Sequence, residues 1–373
     1  MSEVTPIRMP KWGLSMQEGA IVEWWKAQGD AIAEGEDLVD IETSKITNVC
    51  ESPAAGVLAR IVAQPGETLP VGALIGVVAA PDTSEADIEA FITEFHANFT
   101  PEETDEAAGG GLATTMVDAG GKALRIARLG PAEGVPVVLI HGYSGDLNNW
   151  MFNIEALAAT HPVIALDLPG HGGSTKDVGD GSLSALAGSV GAALDTLAVS
   201  RAHLVGHSLG AAVAARLAAD RPGLAASLTL IAPAGLGTIP VSEEFLTGVI
   251  EAQRAKDLRP VLELLLADPA AVTKDMIDDM IKFKRLDGVE EALSALRDRM
   301  VAGDDAAALR ADLAKIPSAL VIASKGDKIV GAPDEATLPA GFKVAWIVGA
   351  GHMPHLEKSG EVNALLASQI SGG

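Results

Sequence analysis

Gly206, His207, Ser208, Leu209 and Gly210 follow a short apolar run and precede AAVAARLAA, a strongly helical stretch. A strand, a glycine-flanked serine and a helix in that order describe a sharp turn that lifts a hydroxyl above a sheet, which makes Ser208 the candidate nucleophile. A serine hydroxyl is too weakly acidic to attack unaided, so it needs a histidine base, and an acid must fix that histidine's tautomer. In the chain order serine, acid, histidine, Asp327 in SKGDKIV is the acid, because the nearer segment PAGLGTIP offers no carboxylate. His352 in GAGHMPHLE is the base; His355 competes with it, but the glycines of GAG suit a tight loop entering a site at His352. HGYSGD at 141–146 follows the first strong apolar run, and the backbone amides of Tyr143 and Leu209 are the expected donors to an oxyanion. His203 and His207 are read equally well as packed histidines, and His171 in DLPGHGGS as a turn residue.

A second chemical position lies far upstream. Lys45 in ETSK stands between two β-rich halves, sixteen residues after Gly29 and eleven before Gly56. A hairpin tip there presents its amine to solvent, either for modification or as an ordinary turn lysine. The densest basic cluster is Lys282, Lys284 and Arg285, read either as a solvated helix face or as a receiver of phosphates. Neither a glycine-rich phosphate loop nor a metal-ligand cluster is evident, so no metal is expected.

The elements that must position these residues fall into separate stretches. At 373 residues the chain is long enough for two or three domains, and 48% hydrophobic with 21% charged residues is a globular composition. Residues 1–80 hold short apolar runs between glycine and proline turns, which predicts a small β-barrel or sandwich. A rough internal repeat, KAQGDAIAEGEDLVDIET and IVAQPGETLPVGALIGVV, places a polar-glycine turn before a closing strand in both copies. Residues 81–112 read as a linker, since 81–110 carry nine acidic and no basic residues. Within it Ile88, Phe91, Ile92, Phe95 and Phe99 recur at helical spacing and give a short helix a face that must dock on the domain that follows it, on a partner subunit or on its own domain. From 113 to 373 apolar runs at 136–140, 163–167, 203–206, 228–232, 319–324 and 343–348 alternate with helical patterns, which predicts a mainly parallel sheet covered on both faces. Residues 236–315 interrupt that alternation and are expected to form a helical cap. A net charge of −23 argues against nucleic acid and anionic membranes as partners. The single cysteine, Cys50, permits no internal disulfide, and the start MSEVTPIRMPKW lacks a basic segment followed by an apolar run, so the expected compartment is the cytoplasm.

Residues 1–80, with ETSK between their two halves, resemble the lipoyl domain family, which implies that Lys45 is the residue amidated by lipoate. Ser44 stands where that family more often has aspartate, and Ser44 and Ile46 do not match the methionines that flank the lysine of biotin domains. With GHSLG, HGYSGD, DLPGHGGS, SKGDKIV and GAGHMPHLE in order, residues 113–373 resemble the α/β-hydrolase superfamily. The fusion as a whole resembles the dihydrolipoyllysine acetyltransferase components of acetoin dehydrogenase complexes. That resemblance implies acetyl transfer from lipoyl-lysine to coenzyme A in acetoin catabolism, with thiamine-diphosphate-dependent acetoin-cleaving subunits and dihydrolipoamide dehydrogenase as partners, and a homo-oligomer is expected. Coenzyme A then becomes the phosphate source for Lys282, Lys284 and Arg285. The H-x-x-x-D-G motif of ordinary lipoate acetyltransferases is absent, since Lys176 and Phe283 stand where histidine would precede Asp180-Gly181 and Asp287-Gly288. Two alternatives stay open: a thioesterase or C–C bond hydrolase tethered to a carrier domain, and a scaffold whose hydrolase domain is inert.

Overall fold

The computed structural model describes residues 4–10, 16, 18–43, 47–99, 112–237 and 239–372. Its contacts divide the chain into two compact units, one of residues 1–111 with 271–276 and the other of residues 112–270 with 277–373.

The first unit is a sandwich of two four-stranded sheets. Its strands are β1 (Val4–Arg8), β2 (Glu18–Trp24), β3 (Ala31–Ile32), β4 (Asp37–Glu42), β5 (Thr47–Glu51), β6 (Gly56–Ile61), β7 (Thr68–Pro70) and β8 (Leu74–Ala79). One sheet has the order β1-β8-β6-β3 and the other β5-β4-β2-β7. Ile7, Ile21, Leu38, Ile41, Leu58 and Ile75 fill the space between them. The internal repeat becomes a two-fold pattern of hydrogen bonds. Gly29 donates to the Leu58 carbonyl while Leu58 donates back to Asp30 (both 2.9 Å), and Gly66 donates to Ile21 (2.8 Å) while Ile21 donates back to Glu67 (2.9 Å). Both turn glycines have positive φ, 100° and 88°, a conformation that glycine adopts without a Cβ penalty.

Helix α1 (Glu85–Asn98) begins at Ser84, whose hydroxyl accepts from the Asp87 amide at 3.2 Å, a standard N-cap. Its apolar side packs Ile88, Phe91, Ile92 and Phe95 with Leu74 and Val77 of β8. Arg60 pairs with Glu85 and, at 2.6 Å, with Glu89. The aromatic face therefore packs against β8 within its own unit.

The second unit is an eight-stranded sheet in the order β16-β15-β14-β13-β11-β12-β10-β9. It comprises β9 (Thr114–Asp118), β10 (Ala123–Leu129), β11 (Val137–Ile140), α2 (Ile154–Ala158), β12 (Val163–Leu166), α3 (Leu183–Thr196), β13 (Ala202–His207), α4 (Leu209–Asp220) and β14 (Ala225–Ile231). Then come α5 (Glu243–Glu251), α6 (Ala255–Leu262), α7 (Lys274–Lys284), α8 (Val289–Ala302) and α9 (Asp304–Asp312), followed by β15 (Ala319–Ala323), β16 (Phe342–Trp346), α10 (Pro354–Glu357) and α11 (Ser359–Ser371). β11 to β16 pair in parallel, whereas β10 runs antiparallel to both β12 and β9. One face of the sheet is covered by α3 and α4, with α5 and α8 joining the same core. The other face is covered by α2, α11 and the fully buried Trp150. This is the mainly parallel, two-face-covered sheet expected from the alternating apolar runs.

Candidate active site

β13 ends at His207, α4 starts at Leu209, and Ser208 is the turn between them, with φ 53° and ψ −116°. A non-glycine residue held in this region costs about 1–3 kcal/mol, so the surroundings must impose it. The two flanking glycines explain how. A Cβ on Gly206 would collide with the Gly210 carbonyl, and one on Gly210 with the carbonyls of Ile140 and His141. Only a chain without those atoms can turn this tightly against β11.

Asp327 lies in the loop after β15 and His352 in the loop after β16, at the same carboxyl edge of the parallel strands as Ser208. His352 Nδ1 is 2.8 Å from Asp327 Oδ2. The other carboxylate oxygen accepts the backbone amides of Ile329 (2.8 Å) and Val330 (3.0 Å), which fixes its orientation. With Nδ1–H committed to the carboxylate, the proton-accepting nitrogen of a neutral His352 is Nε2. His207 donates from Nε2 to the His352 carbonyl at 2.9 Å and so ties the serine's turn to the histidine's loop. All three candidate residues are buried, Ser208 at 4% exposure and His352 at 2%.

The histidine that meets the acid is thus His352. His355 is fully buried between Trp150 and His207, at ring distances of 4.8 and 4.5 Å, and both its ring nitrogens lack a hydrogen-bond partner. Burial, with His352 close by, pushes its pKa down to about 3. His203 lies at the opposite end of β13 from Ser208, bonded to the Ser227 hydroxyl at 2.8 Å.

The loop after β11 presents Tyr143 next to Ser144, whose φ is 59°. The Ser144 amide donates to His171 Nε2 at 3.1 Å, and His171 Nδ1 stands 3.0 Å from the Pro169 carbonyl, so the proton is on Nδ1. His171 therefore does more than turn the chain: its ring holds the loop after β11 in shape, and burial pushes it down to about 3, which keeps it neutral. His141 is neutral in the same way, with Nδ1–H to the Gly142 carbonyl (2.7 Å) and Nε2 accepting from Leu168 (2.9 Å). Asp167, fully buried, binds Arg125 at 2.5 Å and accepts from the amides of Leu147 (2.8 Å) and Gly173 (2.7 Å). Leu209 is the first residue of α4, where backbone amides have no partner within the helix. The Tyr143 hydroxyl donates to the carbonyls of Leu293 (3.1 Å) in α8 and Leu246 (3.4 Å) in α5.

One residue the sequence reading missed is Glu357. Its Oε1 accepts from Gly351 (2.8 Å) and Met353 (3.3 Å), on either side of His352, and its Oε2 accepts from Ala267 (2.7 Å) in the segment between α6 and α7. The His352 amide donates to Leu265 of that segment at 2.8 Å. Burial raises the Glu357 pKa against these amides, which lower it.

Lys45 lies outside the described residues. β4 and β5, which flank it, pair antiparallel with Glu42 opposite Thr47, so the connection carrying Lys45 joins adjacent strands. Of the basic cluster, Lys282 pairs with Asp279 at 3.3 Å, Lys284 bonds the Ala252 carbonyl with its pKa lowered by burial, and Arg285 is exposed. Cys50 is buried, which pushes its thiol up to about 12. Among the described residues no group of side chains suits a metal ion, and no helix is long and apolar enough to cross a membrane.

A family model described as "Alpha/beta hydrolase family" matches residues 137–365, and one described as "Biotin-requiring enzyme" matches residues 5–78. The dihydrolipoyllysine-residue acetyltransferase component of the acetoin cleaving system of Pseudomonas putida is 45% identical over 97% of this chain and 97% of its own length. Its counterpart from Cupriavidus necator is 40% identical over 99% and 98%. The chain belongs to this acetyltransferase family. As a member it is an enzyme, with a biotin/lipoyl-type domain at its amino end and an α/β-hydrolase domain after it. A solved meta-cleavage product hydrolase from Pseudomonas fluorescens IP01 superposes with a TM-score of 0.63 at 22% identity, covering 69% of this chain and 97% of that one, which establishes the shared fold.

Proposed function

We propose that this acetyltransferase moves an acetyl group from lipoyl-lysine to coenzyme A through an acyl-Ser208, with Ser208, His352 and Asp327 as the catalytic residues. The observation that carries the reading is the His352–Asp327 pair, 2.8 Å apart and tied through His207 to the turn bearing Ser208, in a chain matched end to end by named lipoyl acetyltransferases. Lipoate on Lys45, when bound, supplies a swinging thiol that carries the acetyl group. In the first half-reaction His352 Nε2 takes the Ser208 proton as Oγ bonds to the acetyl carbon, and the same nitrogen returns that proton to the departing sulfur as the C–S bond breaks. In the second half His352 takes the proton of the coenzyme A thiol, sulfur bonds to the acetyl carbon, and Ser208 Oγ leaves with the proton. Asp327 holds the imidazole and offsets its charge while it is protonated. The Tyr143 and Leu209 amides hold the oxyanion in both halves.

The domain reading is 1–80 for the lipoyl domain, 81–112 for the linker with its helix, and 113–373 for the hydrolase domain with a cap at about 236–315. The partners are thiamine-diphosphate-dependent acetoin-cleaving subunits and dihydrolipoamide dehydrogenase, in the cytoplasm. Incubation with acetyl-dihydrolipoamide, with and without coenzyme A, tests the reaction: acetyl-coenzyme A is expected, and acetate released at the same rate in both arms would replace the transferase by a hydrolase.

A further inference from the structure

We propose that the pantetheine arm of coenzyme A occupies a cavity of about 610 Å³ beside Leu209, and that Arg310 takes its phosphates; this rests on the transfer reading above. Leu209 lies next to Ser208 in sequence and lines the cavity together with Leu236, Leu296 and Met300. The opposing walls come from the start of α4, the segment after β14, and the helices α8 and α9. A pantetheine arm is a narrow uncharged chain that ends in a thiol, so an apolar passage suits it, while the phosphates at its other end need a cation at the exposed part of that passage.

The charged side chains on the lining decide which cation that is. Arg299 is closed on Asp305 by two bonds, of 3.1 and 2.9 Å. Asp334 turns a carboxylate oxygen to the Ala336 amide of its own turn at 3.1 Å. Arg310 is exposed, uses one nitrogen on the Gly235 carbonyl at 2.6 Å, and has no carboxylate partner among the described residues. A guanidinium has five N–H donors in a planar fork, so most of this one's donors are free for phosphate oxygens. In a chain of net charge −23 a polyanionic acceptor needs a cation beside the cavity that takes its arm, and Arg310 supplies one. Lys282 and Lys284 are not on this lining.

The test uses the full chain, acetyl-dihydrolipoamide as donor, and either coenzyme A or pantetheine, which lacks the phosphates, as acceptor. The wild type should prefer coenzyme A in kcat/KM. Arg310→Gln should reduce that preference about tenfold, the equivalent of about 1.4 kcal/mol, chiefly through KM. Arg310→Lys, which keeps the charge without the fork, should retain part of it. Titration calorimetry of coenzyme A into Ser208→Ala, with and without Arg310→Gln, should show the same tenfold loss in Kd. If Arg310→Gln weakens both acceptors equally and leaves the Kd for coenzyme A unchanged, Arg310 is only a tie to Gly235 and the proposal is overturned. If the wild type acetylates neither thiol, the transfer reading fails, and the calorimetric comparison still decides whether Arg310 binds coenzyme A.

Discussion

Replacing His355 by leucine should flatten the acid sensitivity of the hydrolase domain. His355 is fully buried, neither of its ring nitrogens has a partner, and its pKa is pushed down to about 3. An unfolded histidine titrates near its ordinary value of 6.5. Below pH 6.5 the unfolded chain therefore gains a proton that the folded chain refuses, and stability is lost as pH falls from 6.5 toward 3. Each pH unit in that window costs about 1.4 kcal/mol, so the step from pH 7.5 to 5.0 costs about 2 kcal/mol from this residue alone. His171, pushed down to about 3 as well, adds a similar loss, and His141 and His207 act in the same direction. Asp146 and Glu357, whose pKa values burial raises, act the other way, so the isolated contribution must be read from the variant. Urea unfolding followed by the helical far-UV signal at pH 7.5 and 5.0 supplies it, because among the described residues all helices but α1 belong largely to the second unit. The stability difference between the two pH values should be about 2 kcal/mol smaller in His355→Leu than in the wild type. An unchanged difference would show that His355 is protonated in the folded state, and the reading of it as a buried neutral ring would be wrong.

Asp327→Asn should lower turnover about 10³- to 10⁴-fold while the protein stays folded, since the amide cannot hold the imidazole in the required tautomer; steady-state transfer assays with a far-UV spectrum check both parts. Ser208→Ala should leave no acetyl group on the protein after rapid quench, whereas the wild type with acetyl-dihydrolipoamide and no coenzyme A should gain one acetyl mass on the peptide holding Ser208. Gly210→Ala places a Cβ against the Ile140 and His141 carbonyls and should destabilise the hydrolase domain by about 3 kcal/mol or more, read as a shifted urea midpoint. Intact mass after expression with lipoate and its ligase should show lipoate on the wild type and none on Lys45→Arg; modification that survives the substitution would move the attachment site elsewhere.

What the sequence made legible is what the chain settles within a few residues of itself. The elbow is such a case: glycine at 206 and 210 is demanded by backbone atoms that the motif itself brings together, so the residue types announce the geometry. The turn glycines of the sandwich are another, because positive φ at Gly29 and Gly66 is a local requirement and the repeat in spacing shows it twice. The docking of α1 was half legible. Its own periodicity shows an apolar face, and the run LIGVVA, buried at every position in β8, shows a strand that needs cover on both sides. Reading each separately left a helix without a partner; together they name one, since Ile75 and Val78 enter the sandwich core while Leu74 and Val77 meet Ile88 on the outside. The supports of the candidate site were not legible, for a different reason. Glu357 holds the loop of His352 by accepting backbone amides, one of them ninety residues away at Ala267, and His171 holds the loop after β11 through the amide of Ser144. A backbone amide leaves no trace in residue type, so nothing at positions 267, 351 or 144 betrays the contact. The same limit applies to Lys284 and Arg310: both are cations in helical stretches, yet Arg310 lines the cavity beside Leu209 and Lys284 does not, and only the path of the backbone decides between them.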